Sequence, residues 1–178
     1  KNPMTTFQDN IIGTINILEA VRKINKNIKI IFSSSDKAYG NLKEGKYKEN
    51  NRLEGKYTYD VSKSSADLIA QAYNETYGLK IGIIRSGNIY GPGDFNLNRI
   101  VPNLIIDTLN NRRLAIRSNG KLRRDYIYVD DVVRAYLKIT HKLNNKNNIL
   151  IYNIGSKENF NALEIVKKLH SLLNIKDL

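Results

Sequence analysis

Phe7, Ile11, Ile15, Leu18, Val21 and Ile24 recur every three or four residues, the spacing of one helical face, and predict a helix from about Thr6 to Lys26. The run Ile28-Lys29-Ile30-Ile31-Phe32 is short, β-branched and nearly all apolar, as a strand buried on both faces reads. Ser33-Ser34-Ser35-Asp36-Lys37 follows at its carboxyl end, and a polar loop continues to about Tyr57. Helical spacing returns from Tyr59 to Tyr77 through Val61, Ala66, Ile69, Ala70 and Tyr73, with Gly78 as its C-cap.

Ile81-Gly82-Ile83-Ile84 repeats the buried-strand pattern, and a glycine- and proline-marked segment from Ser86 to Asp94 follows it. Beyond that the pattern predicts a helix from Ile100 to Asn111, a short strand at Leu114–Ile116 and another at Tyr126–Val129. Asp130 or Asp131 then caps a helix running to about Leu143. A strand covers Ile149 to Ile154, and Asn161 with Glu164 opens a last helix faced by Leu163, Val166, Leu169 and Leu172. Strands alternate with helices, so the class is α/β with a parallel sheet. Ligands in such sheets sit beyond the carboxyl ends of the strands. Ser33–Lys37 and Ser86–Asp94 both lie at such ends.

Composition narrows the picture. The chain has 178 residues, 41% hydrophobic and 26% charged, enough for one substantial globular domain. No apolar run approaches the length of a membrane span, and Lys1-Asn2-Pro3-Met4 leads into polar residues rather than a signal peptide. Zero cysteines exclude disulfides and thiolate metal sites. A cytoplasmic protein without a membrane partner or a bound metal is the expectation. The net charge of +12 is scattered among asparagines, as in Lys142-Leu143-Asn144-Asn145-Lys146-Asn147-Asn148. It forms no basic stripe with interleaved aromatics, so no nucleic-acid partner is expected.

Tyr59 and Lys63 are four apart on a helix and share a face. A phenol titrates near pH 10, and a nearby ammonium favours the phenolate; reaching neutrality takes about three pH units, or roughly 4 kcal/mol. The spacing alone is common in a chain with 11 tyrosines, where a tyrosine packing over a lysine stem is the plainer reading. The surroundings sharpen it. A serine cluster ends a strand, a loop follows, and Tyr59-Asp60-Val61-Ser62-Lys63-Ser64 opens a helix.

Together with Asn10-Ile11-Ile12-Gly13-Thr14, Arg85-Ser86-Gly87-Asn88-Ile89-Tyr90-Gly91-Pro92-Gly93, Arg99-Ile100-Val101-Pro102 and Arg124-Asp125-Tyr126-Ile127-Tyr128-Val129-Asp130-Asp131, these residues resemble the extended short-chain dehydrogenases/reductases. This is the NAD-dependent epimerase/dehydratase family of nucleotide-sugar enzymes. The resemblance implies a Rossmann-like, doubly wound parallel sheet lacking its first strands, with part of a small C-terminal substrate domain. Residues 1–90 would be mainly the Rossmann half, and residues 91–178 mainly the substrate-binding portion, with one strand returning to the sheet. It further implies NAD as cofactor, a nucleotide-diphosphate sugar as substrate and a homodimer built on the helices of the Asn-x-x-Gly-Thr and Tyr-x-x-x-Lys motifs.

The roles follow from the same resemblance. Tyr59 takes the proton of the sugar C4 hydroxyl, Ser35 hydrogen-bonds that hydroxyl, and Lys63 holds the nicotinamide ribose, with Ser33 also at the cofactor. Asn88, Arg99, Ile100 and Arg124 contact the substrate, Arg124 through its guanidinium fork on the pyrophosphate. Asp125 and Asp130 are structural, a turn partner and a helix cap, and Gly91 and Gly93 serve a tight turn.

Asp36-Lys37 resembles the pair found in CDP-glucose 4,6-dehydratases and in the inverting UDP-N-acetylglucosamine 4,6-dehydratases. Loss of water across C5–C6 of a 4-ketosugar needs one base and one acid, and a desolvated Lys37 and a protonated Asp36 supply them. Ser35 stands where dehydratases commonly carry threonine, and Tyr39-Gly40 is epimerase-like. A 4-epimerase in which Asp36 and Lys37 form a loop ion pair is therefore the alternative, and a catalytically silent nucleotide-sugar-binding protein is the non-enzymatic one. The family's Gly-x-x-Gly-x-x-Gly turn is not in this sequence. The 178-residue chain alone is accordingly expected to bind NAD poorly and to turn nothing over. Calorimetric titration with NAD checks this, and firm binding would refute it.

Overall fold

The computed structural model describes residues 2–41, 45–112, 116 and 119–173. The expected short strand at Leu114–Ile116 falls largely outside them. The first helical stretch is α1 (Pro3–Phe7), a π-helical turn (Gln8–Ile12) and α2 (Gly13–Ile24) in succession. It starts before the expected Thr6 because Pro3 fits the first helical turn and Asn2 caps it, its Oδ1 accepting Met4 N–H at 3.0 Å.

β1 (Lys29–Ser35) follows, then a 3₁₀ turn (Asp36–Tyr39), α3 (Thr58–Tyr77), β2 (Lys80–Ser86) and β3 (Asn88–Tyr90). After α4 (Ile100–Leu109) come β4 (Arg124–Tyr128), α5 (Val129–Lys142), β5 (Ile149–Ile154), β6 (Asn159–Phe160) and α6 (Ala162–Leu172). α5 begins at Val129, so Asp130 and Asp131 lie in its first turn and not at the cap position expected of them. There they still favour the positive end of the helix dipole. Asn161 caps α6 as expected, exchanging bonds with Glu164 at 2.9 Å in both directions.

The chain divides into two units, residues 1–87 with 132–154, and residues 88–131 with 155–178. In the first, β1, β2 and β5 form a parallel sheet in the order β1-β2-β5. Alternation along β2 sends Ile81 and Ile83 to one face, where they pack with Leu18, Val21, Ala70 and Leu79 of the α2 and α3 side. Ile84 points to the other face, against Ile139 and Leu143 at the end of α5. Gly82 lies on that face as well, and a Cβ there would meet Ile139 Cγ2 at 2.5 Å, so the missing side chain lets α5 approach. Layers of helix, sheet and helix are the arrangement that a parallel sheet requires.

In the second unit β3 runs parallel to β4, and β4 pairs antiparallel with β6. Gly91 follows β3 with φ 156°, and a Cβ on it would meet Val129 Cγ1 at 2.5 Å. Asp125 joins the loop after β5, its Oδ1 accepting Ser156 N–H and Oγ–H, each at 2.8 Å.

Ile83 is fully buried at the centre of the first unit. Ile83→Ala in the intact protein is expected to cost about 2–5 kcal/mol. A fall in the urea midpoint with an unchanged slope would register that loss.

Candidate active site

β1 ends in three serines, and each has a different partner. Ser33 offers its carbonyl to Lys63 Nζ at 3.0 Å. Ser34 is buried, and its Oγ donates to Asp67 Oδ2 at 2.6 Å. Ser35 caps the 3₁₀ turn, with Oγ accepting Lys37 N–H at 3.2 Å and lying 3.1 Å from Asp36 Oδ1. Within the turn Lys37 Nζ meets Asp36 Oδ2 at 2.8 Å, the two side chains being 30% and 24% exposed. Gly40 ends the turn at φ 76°, where a Cβ would run into the Glu54 carbonyl.

α3 supplies the opposite wall. Tyr59 lies in its first turn, 46% exposed, and Lys63 is one turn further on the same face. The Lys63 ammonium lies 5.8 Å from the Phe32 ring centre, and burial pulls its pKa below the ordinary lysine value. The start of α3 is tied down twice. Ser64 Oγ lies 2.8 Å from the Ala38 carbonyl, joining helix to 3₁₀ turn. Ser62 Oγ donates to the Tyr59 carbonyl at 2.7 Å and accepts Asn10 Nδ2 at 2.9 Å, which links Tyr59 to the π-helical turn. The segment that carries Ser33, Ser35, Asp36 and Lys37 and the helix start that carries Tyr59 and Lys63 thus lie side by side at the carboxyl end of β1.

Behind them is a polar cluster that periodicity did not reveal. Arg85 and Asp67, 2% and 0% exposed in their side chains, form a two-pronged ion pair, Nε–Oδ2 and NH2–Oδ1 both at 2.9 Å. Arg85 NH1 donates to Tyr39 Oη at 2.7 Å and to the Glu49 carbonyl at 2.9 Å. Tyr39 Oη donates in turn to Asn153 Oδ1 at 2.7 Å, and its ring stacks on Tyr47 at 4.8 Å. A signal was present. Asp67 falls beside Ala66 and Ala70 on the apolar face of α3, and Arg85 directly continues the apolar run of β2; two opposite charges at buried positions ask for one another.

The remaining sequence-predicted residues lie in the second unit. β3–β4 register pairs Asn88 with Tyr126 and Tyr90 with Tyr128. Alternation then puts Arg124, Tyr126 and Tyr128 on one face of that small sheet. Burial raises the pKa of Tyr126, and the charge of Arg124 opposes the rise. The Tyr90 and Tyr128 rings lie 5.6 Å apart. Arg99 precedes α4 and pairs with Asp94 at 3.2 Å, and Ile100 is the first residue of that helix. Among the described residues no helix is long and apolar enough to cross a membrane, and no group of three or more His, Cys, Asp or Glu is placed to hold a metal.

Comparison with known proteins bears on the family and the fold. The dTDP-D-glucose 4,6-dehydratase of Dictyostelium discoideum is 33% identical over 180 residues, covering 95% of this chain and 40% of the relative. A trifunctional UDP-glucose 4,6-dehydratase/UDP-4-keto-6-deoxy-D-glucose 3,5-epimerase/UDP-4-keto-L-rhamnose-reductase of Arabidopsis thaliana is 29% identical over 98% of this chain and 26% of its own. The chain therefore spans less than half the length of either relative. Among solved structures, dTDP-glucose 4,6-dehydratase from Bacillus anthracis in complex with NAD superposes with a TM-score of 0.88 at 32% identity, over 97% of this chain and 55% of that one. UDP-glucose 4-epimerase from Thermotoga maritima with UDP-glucose gives 0.88 at 29% identity, over 99% and 57%. The sheet is Rossmann-like, residues 1–155 match the sequence model of the NAD dependent epimerase/dehydratase family, and the chain belongs to that family.

Proposed function

We propose that the chain carries the catalytic part of an NAD-dependent nucleotide-sugar 4,6-dehydratase of the CDP-glucose type. The observation that carries this reading is the gathering of Ser35, the Asp36–Lys37 pair, Tyr59 and Lys63 at the end of β1, held together by Lys63 Nζ on the Ser33 carbonyl at 3.0 Å. Relatives named as dTDP- and UDP-glucose 4,6-dehydratases support the reaction class. Asp36-Lys37 supports the CDP-glucose type. A homodimer is part of the reading, supported by the exposed apolar Ile12, Ile17 and Leu68 on the N-terminal helices and α3.

Lys63 fits a hydroxyl-bearing ribose. An ammonium has three protons, the Ser33 carbonyl takes one, and the group lies beside Tyr59's face of the helix. Lys63, Tyr59 and Ser33 would hold the nicotinamide end. NAD, when bound, supplies the acceptor and later the donor of a hydride. Tyr59 as phenolate receives the C4 hydroxyl proton while Ser35 hydrogen-bonds the same oxygen. Lys63 stabilises the phenolate by its charge.

With C4 a carbonyl, the C5 proton is acidic. Lys37 as free amine takes it, the C5–H electron pair becomes the C5–C6 double bond, and the C6–O bond breaks as Asp36 gives its proton to the leaving hydroxyl. This step leaves an Asp36 carboxylate beside a Lys37 ammonium, the ion pair found at 2.8 Å. The reactive form differs from it by one proton, moved from Nζ to Oδ2 along the existing hydrogen bond. Lys37 then returns a proton to C5 as C6 is reduced. In the second unit, Arg124, Asn88, Arg99 and Ile100 are assigned to the nucleotide diphosphate in this reading.

A second reading, a nucleotide-sugar 4-epimerase, is favoured by that same ion pair if its job is to brace the loop. The likeness to the Thermotoga maritima epimerase supports it.

Incubation of the full-length protein with NAD and, separately, CDP-glucose, UDP-glucose, dTDP-glucose and UDP-N-acetylglucosamine in heavy water decides between them. A 4-keto-6-deoxy sugar, seen by its alkaline absorbance and carrying deuterium at C5, is the expected product, with CDP-glucose the best donor. A C4-inverted sugar without deuterium would overturn the dehydratase reading. Lys37→Met should lower the rate of keto-deoxy product by about 10²-fold or more while C4 oxidation, followed as reduced cofactor absorbance, persists. Lys63→Met should abolish turnover without lowering folding stability near neutral pH. Burial depresses the Lys63 pKa, so the charged form is held at a cost at every pH below its folded value. That cost fades as pH rises from there to the ordinary lysine value, so the variant's advantage in urea unfolding should shrink towards alkaline pH.

A further inference from the structure

We propose that the buried Arg85–Asp67 pair is the positioning device of the acid–base turn, gripping it at both flanks. The inference rests on the dehydratase reading for the chemistry of Asp36 and Lys37, but its geometry stands apart from it. Residues 34 and 39 bracket the turn, and the side chain of each is bonded to the pair. Ser34 Oγ donates to Asp67 Oδ2 at 2.6 Å on the amino-terminal side. Arg85 NH1 donates to Tyr39 Oη at 2.7 Å on the carboxyl-terminal side. The guanidinium also lies over the Tyr39 ring, 4.9 Å from its centre. Ser35, Asp36, Lys37 and Ala38 are all that separates the two anchors.

The pair has itself little freedom. Gln71 Nε2 holds Asp67 Oδ1 at 2.7 Å, the Glu49 carbonyl takes Arg85 NH1 at 2.9 Å, and Asn153 Oδ1 accepts the Tyr39 hydroxyl at 2.7 Å. Tyr47 closes the cluster by stacking on Tyr39 and donating to the Gly40 carbonyl at 2.8 Å. A buried ion pair is a poor source of stability compared with apolar packing, because desolvation offsets its attraction. Its directional bonds instead allow one geometry of the groups attached to it. Here those groups are the last residue of the turn, Tyr39, and Ser34 in the strand just before it, and between them lie the side chains that must meet C5 and the C6 oxygen together. Arg85, Asp67, Ser34 and Tyr39, all buried, are therefore positioning residues.

Tyr39→Phe and Ser34→Ala test this, since each cuts one anchor and leaves the ion pair whole; Asp67→Asn and Arg85→Ala would strand a buried charge and are unsuitable. Tyr39→Phe keeps the ring on Tyr47 and under Arg85. In the full-length enzyme with NAD and its nucleotide sugar, each variant should slow C5 deuterium uptake and keto-deoxy product by about ten-fold or more and slow C4 oxidation by clearly less, because Tyr59 and Lys63 stand on α3 and only Ser35 of the C4 groups lies in the gripped segment. Without substrate, amide hydrogen exchange over residues 35–40 should quicken by about ten-fold, with exchange in β2 unchanged. Unchanged exchange over residues 35–40 would overturn the proposal, as would a parallel fall in C4 oxidation and C5 exchange. A wild-type enzyme that only inverts C4 would sink the dehydratase reading alone, and the positioning role would then stand or fall by the exchange rates.

Discussion

The pairing of β1 with β2 is the constraint on which the first unit depends. It runs unbroken from Lys29↔Lys80 to Ser35↔Ser86. Side chains alternate along a strand, so the register decides at once which residues reach the helices and which reach the site. Ile30 and Phe32 join Ile81 and Ile83 on the α3 face and build the core there. Two residues further along the same rows, Ser34 stands opposite Arg85 on that face, and Asp67 comes down from α3 to meet both. A slip of β1 by one residue would turn its apolar row out and take Ser34 away from Asp67. Core and candidate site share one register, and the packing that stabilises the sheet also places the turn that carries Asp36 and Lys37.

Placing a charge pair where the apolar row would otherwise continue is costly, and the cost is met by saturation. Arg85 uses its fork on one carboxylate and its remaining nitrogen on a phenol and a carbonyl, while both oxygens of Asp67 take a second donor. Losing one partner of such a pair costs about 3–5 kcal/mol because it strands the other. The consequence is a rigid seat beneath a turn that itself remains partly open to solvent. Asp36 and Lys37 keep intermediate exposure above a floor that is fully buried.

What could be read from the sequence follows the same physics. Long periodic elements were legible: α2, α3, β2 and α6 declare themselves by spacing, and Asn161 with Glu164 marks a helix start by its chemistry. Tyr59, Lys63 and Ser35 were singled out because a Tyr-x-x-x-Lys helix start after a serine-ended strand resembles the family's motifs, and the fold puts the two segments side by side. The serine end of β1 was not, since three polar residues give no apolar signal and stay in the strand only by pairing with β2. β3 and β6, three and two residues long, exist through β4 and carry no pattern of their own. Arg85 and Asp67 each look anomalous in isolation, and only the fold brings a strand end and a helix centre to 2.9 Å. The π-helical turn leaves no mark on the hydrophobic spacing, because it widens one turn without breaking the face.

On the dehydratase reading, the Asp36–Lys37 pair raises a question of timing that its environment answers. The resting pair is held at 2.8 Å with solvent still reaching both side chains, and water supports separated charges. A sugar nucleotide filling the space above the turn removes that water. Desolvation weakens the charged arrangement relative to the neutral one, in which Asp36 carries the proton and Lys37 is a free amine. On that proposal, substrate binding would prepare the acid and the base in one proton shift over the hydrogen bond already formed. The elimination returns the pair to its charged form as water leaves. The buried ion pair below, far drier and fully bonded, has no such freedom, and its charges stay where the fold puts them.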